Sequence, residues 1–167
     1  MVVLRCTRKL LRHVGSGSRD SGEPPKSTTR LGDWYANVVV VHRQHVVLAV
    51  SGVTLLPVLV PAAPYKTMIP RIAEAAGQIL RALKIGEDKV AAEEETMRDA
   101  VMATTNNRRV LGSMNDFANM LDAYLDDRSL TEVALHLSDS PCSPLGMNNP
   151  REATLALFSA PGLRLVR

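Results

Sequence analysis

The stretch from Thr104 to Phe117 reads TTNNRRVLGSMNDF, with Asn106, Asn107, Arg108 and Arg109 ahead of a helix start signal at Gly112-Ser113. Glycine permits a sharp turn, and serine is a preferred N-cap. Ser113-x-x-Asp116 approximates a capping box, with aspartate standing in for glutamate. The free N–H groups of a helix start, together with arginine, form a recurring anion site, to which the asparagine amides could add contacts. The competing reading is structural. Ser113 and Asp116 would satisfy the helix start, and the arginines would pair with acids of the chain.

A second string, Gly32-Asp33-Trp34-Tyr35-Ala36-Asn37, opens a strand. Asp33 is a candidate general base, as is Asp116, and Trp34 or Tyr35 could stack against a ligand. The structural alternative makes the aromatics core and gives Asn37 the task of fastening a neighbouring loop, since a half-buried amide needs partners. His42 and His45 flank the pair Arg43-Gln44 and would face each other across a tight hairpin. No third ligand accompanies them, so exposed turn histidines are expected rather than a metal site. No phosphate-cradling glycine loop, nucleophile elbow or zinc spacing is present, and no cofactor is expected.

These residues need a scaffold. Val2–Cys6 reads as a strand and Arg8–Val14 as a short basic helix. Gly, Ser and Pro between residues 15 and 28 predict a mobile loop. Trp34–His42 is apolar on both faces and is expected inside a sheet. His45–Ser51 and Thr54–Val60 complete a three-stranded meander, with Pro57 confining the last strand to an edge. Apolar residues at helical spacing predict a helix over Thr67–Ile85. An acidic helix over Asp88–Met97, a strand over Arg98–Thr104 and helices from Ser113 to Leu125, Ser129 to Leu137 and Arg151 to Phe158 follow. The expected fold is α+β. A small antiparallel sheet, the meander plus the N-terminal strand and one more, is covered by four to six helices in a single domain spanning residues 1–167.

At 46% hydrophobic and 22% charged residues, the chain has an ordinary globular composition. Residues 1–31 hold seven Arg or Lys against two acids, whereas residues 85–99 hold six acids against two bases. Such segments are usually solvated faces, and a net charge of +3 does not by itself imply nucleic acid. Cys6 and Cys142 have no metal-like spacing and suit a reducing compartment. Val46–Tyr65 lacks charge, but Gly52, Pro57, Pro61 and Pro64 interrupt it, which favours strands over a membrane helix. A cytoplasmic location follows as an expectation.

Several strings resemble a bacterial family of small proteins catalogued as a domain of unknown function. They are Leu4-Arg5-Cys6-Thr7-x-Lys9-Leu10-Leu11, Thr29-Arg30-Leu31-Gly32-Asp33-Trp34-Tyr35-Ala36-Asn37, Thr54-Leu55-Leu56-Pro57-Val58, Asn107-Arg108-x-Val110-Leu111-Gly112-Ser113-Met114-Asn115-Asp116-Phe117 and Pro141-Cys142-x-Pro144-Leu145-Gly146. The similarity runs from about Leu4 to Phe158, with a departure at Met147, where similar sequences lead one to expect an aromatic. The resemblance implies no activity, cofactor or catalytic residue. Three functions remain in view: a small binding or regulatory module for phosphate or nucleic acid, an enzyme acting on a phosphorylated or nucleotide substrate, and a structural partner in a homo-oligomer or two-component assembly.

Overall fold

A computed structural model describes residues 1–15 and 22–160. It is an α+β fold with strands β1 (Val2–Cys6), β2 (Trp34–Val41), β3 (Gln44–Ser51), β4 (Pro57–Pro61) and β5 (Ala100–Thr104). The helices are α1 (Arg8–Val14), α2 (Met68–Ala82), α3 (Glu87–Arg98), α4 (Arg108–Tyr124), α5 (Leu130–Leu137) and α6 (Pro150–Ser159). The strands form one sheet in the order β4-β3-β2-β1-β5.

The meander is antiparallel as expected, and the N-terminal strand and one further strand extend it. Both added strands run parallel, β1 beside β2 and β5 beside β1. Parallel neighbours need crossover connections rather than hairpins, and helices lie between each of these pairs in the chain. Val41 pairs with Gln44, so the hairpin turn is His42-Arg43, with both residues at positive φ (48° and 65°). That geometry matches the right-handed twist of the flanking strands. It also overturns the expected pairing of the two histidines. His45 lies opposite Val40, while His42 reaches Asp126 (3.0 Å) just beyond α4 and Asp122 (3.6 Å) on it.

The third strand begins at Pro57 rather than Thr54, because residues 51–56 form a closed turn. Leu55 is left-handed (φ 58°), and the amides of Leu55 and Ser51 donate to the carbonyls of Ser51 and Leu56. The buried Ser51 hydroxyl fixes this turn by donating to the Leu31 carbonyl at 2.7 Å. β4 occupies a sheet edge, where its prolines interrupt no ladder.

One face of the sheet carries Leu4, Trp34, Ala36 and Val38. Val2, Leu4 and Trp34 line a small apolar cavity there together with Ile69 and Ile72 of α2 and Met97 of α3. Trp34 has no exposed surface. β2 is the middle strand of the sheet, as expected of Trp34–His42, but its coverage ends before the hairpin: Val38 is buried and Val40 is 52% exposed. α2 and α3 pack closely at Gly77, where an added Cβ would collide with the Glu94 side chain. The other face carries Arg5, Tyr35 and Asn37, and α4 lies against β2 and β3. Among the described residues no helix is long and apolar enough to cross a membrane.

Candidate functional site

β1 and β5 end side by side, with Cys6 opposite Thr104. Each then runs into a helix. Thr7 caps α1, its hydroxyl accepting from the Leu10 amide at 3.3 Å. Asn107 caps α4, its Oδ1 accepting from the amides of Arg109 (3.0 Å) and Val110 (3.3 Å). The helix therefore starts well ahead of the point that Gly112-Ser113 suggests. Asparagine is as good a cap as serine, and Asn107 captures two orphan amides at once. Gly112 is exposed inside α4, and Ser113 is buried within it.

Behind these helix starts lies a hydrogen-bonded polar cluster. The Arg5 guanidinium donates through Nε to Asp33 Oδ2 (2.7 Å) and through Nη1 to the Thr104 carbonyl (3.1 Å). Ser27 donates to Asp33 Oδ1 (2.6 Å) and accepts from the Val3 amide (2.8 Å). Both oxygens of Asp33 are thus engaged. Thr7 donates to Asn37 Oδ1 at 2.6 Å, so Asn37 does fasten a neighbouring segment. Tyr35 donates to Asn106 Oδ1 at 2.6 Å. Burial raises the Tyr35 pKa and Asp33 adds to the effect, while Arg5 opposes it. The phenol therefore keeps its proton and remains a donor.

These are three separate hydrogen-bonded groups, built on Asp33, Tyr35 and Asn37 at alternate positions of the chain, and Asn107, Arg108 and Arg109 directly follow Asn106. Trp34 faces the opposite side of the sheet, and Asp116 lies exposed further along α4. Of the predicted loop over 15–28, residues 16–21 lie outside the described residues. At its far end Ser27 and Thr28 are tied to the N-terminal strand, and the Thr28 amide donates to the Met1 carbonyl at 2.8 Å.

Reasoning from residue types alone misses Arg5, Thr7 and Ser27 as members of the cluster. The available signal is Arg5, a single charge in the apolar strand VVLRC, which has to find a counter-charge.

The outer layer of the site is cationic. Neither α1 nor α4 has an acid in its first turn; Arg8 and Lys9 occupy one, Arg108 and Arg109 the other. All four are exposed, and among the described residues none forms an ion pair. The helix dipole puts partial positive charge at both places, so these cations add to a field of their own sign. Both thiols are free and buried. Burial pushes Cys6 up to about 12, and burial together with Asp116 raises Cys142. Among the described residues no group of three metal-binding side chains occurs.

No curated protein and no solved structure matches the chain. Residues 3–153 match the model of a domain of unknown function, DUF6933. That match takes in both helix starts and the whole polar cluster, and the chain belongs to this family.

Proposed function

We propose that the protein is a small binding module whose ligand carries a phosphate or comparable anion, held over the ends of β1 and β5. One observation carries this reading: four exposed cations occupy the first turns of two helices, where acids are favoured, with no carboxylate partner among the described residues. An external anion would relieve that repulsion. Arginine offers it a planar fork of donors, and lysine a point charge. The polar cluster beneath has a supporting role, fixing the strand ends through Arg5, Asp33 and Ser27 and the loop before α4 through Tyr35 and Asn106.

A nucleic acid is the second reading, favoured by the spread of the cations over two helix starts. The enzyme reading has less support. Asp33 already accepts from both Arg5 and Ser27, which leaves it poorly placed as a general base.

The test is a thermal-shift titration with inorganic phosphate, nucleotides and a single-stranded oligonucleotide at low ionic strength. A ligand that binds only the native state raises the melting temperature. Stabilisation that Arg108→Ala and Arg109→Ala each weaken, while stability without ligand holds or rises, supports the reading. Loss of stability in the ligand-free variants, with no phosphate effect in the parent, points instead to arginines that serve the fold.

A further inference from the structure

The sheet has two edges, and they are protected very differently. β4 begins and ends with proline, and α2 and α5 both pack against it. β5 reads Ala-Val-Met-Ala-Thr, with no proline and no charge. Its first four residues are half-buried, and among the described residues β1 is its only strand neighbour. Apart from the Asp99 carbonyl just before it and the Thr104 carbonyl at its end, no further hydrogen bond reaches its backbone from outside the ladder among the described residues. An uncharged edge with unpaired peptide groups is a template for another strand.

The ends of this edge differ in charge. Exposed Glu95, Arg98 and Asp99 precede β5 and carry a net negative charge, whereas exposed Arg108 and Arg109 follow it. Antiparallel apposition of two identical edges brings unlike ends together; parallel apposition brings like ends together. A two-fold axis produces the antiparallel case and closes the assembly at two chains.

We propose that β5 pairs antiparallel with β5 of a second copy, continuing the sheet across a symmetric dimer. The occupant is the chain itself because its own edge supplies both the unpaired strand and the complementary charges. The pairing does not depend on an anion at the helix starts.

Sedimentation of the full chain across a concentration series is the test, with backbone amide exchange over residues 100–104 read in parallel. A mass twice 18.2 kDa, with protection of these amides that grows with concentration, is expected. Val101→Lys sets two like charges close together at the junction and should weaken the dimer about tenfold or more. Asp99→Arg and Arg109→Glu should each weaken it, and the combined variant should recover most of the loss. A chain that stays monomeric at every concentration overturns the proposal. So does a dimer indifferent to all these substitutions. A Val101→Lys protein that is monomeric yet keeps the parent's far-ultraviolet circular dichroism supports it, because such a variant is still folded.

Discussion

The Tyr35 hydroxyl donates to Asn106 Oδ1 at 2.6 Å, so the middle strand of the sheet holds the loop that leads into α4. Asn107, directly after, caps that helix. Tyr35→Phe removes this tether while leaving the ring in place. The expected cost is about 0.5–1.5 kcal/mol in chemical denaturation, the usual net worth of one hydrogen bond. Amide exchange at residues 105–107 should speed up more than exchange in β2. Equal acceleration in both would mean that the bond serves global stability and not the loop.

Gly112 is exposed in the interior of α4, and a Cβ added there meets nothing within 4 Å. Gly112→Ala should therefore stabilise the protein by about 0.5–1 kcal/mol, since alanine loses less backbone entropy in a helix. A fall in the denaturation midpoint would restore the reading of Gly112 as a turn.

Glu93 is a buried carboxyl on α3. Its Oε1 accepts from the Arg30 amide at 2.7 Å, while Oε2 has no hydrogen-bond partner among the described residues. Burial raises its pKa above 4.5, against the pull of the Arg30 and Leu31 backbone amides. A carboxyl with a raised folded-state value binds more protons when folded than when unfolded. Its contribution therefore destabilises the fold progressively as pH rises from 4.5 through the folded value. Glu93→Gln cannot ionise. The stability of the parent relative to this variant should decline as pH rises through that window. Urea midpoints at a series of pH values measure it, and a difference that stays constant or grows with pH would count against the assignment.

Much of this architecture is legible locally. The strand Val2–Cys6 and the helix Arg8–Val14 lie within the predicted bounds, because short apolar runs and helical spacing are local properties. Pro57 correctly indicates an edge, since proline lacks the amide that a central ladder requires. The parallel insertion of β1 is not legible. Nothing in VVLRC names Trp34 and Met102 as neighbours of Leu4. The start of α4 misleads for a related reason. Gly112-Ser113 has the residue types of a turn and cap, but the helix is already capped at Asn107 and carries both residues through. Asn106, Arg108 and Arg109 stand out by residue type alone, as amide and cations gathered ahead of an apolar helix. That Arg5 reaches both Asp33 and the carbonyl of Thr104, just ahead of them, depends on the pairing of β1 with β2 and β5, which brings distant parts of the chain together.

The interior position of β1, between β2 and β5, has a kinetic consequence. β2, β3 and β4 can zip together through short turns, but Leu4 must find Trp34 on one side and Met102 on the other. Closing such loops is slow compared with forming hairpins, because chain entropy is lost before the contacts that repay it are made. During refolding, the meander should therefore form ahead of the β1–β5 half. Until β1 arrives, the long apolar β2 is itself a bare edge, and aggregation competes with folding at that stage.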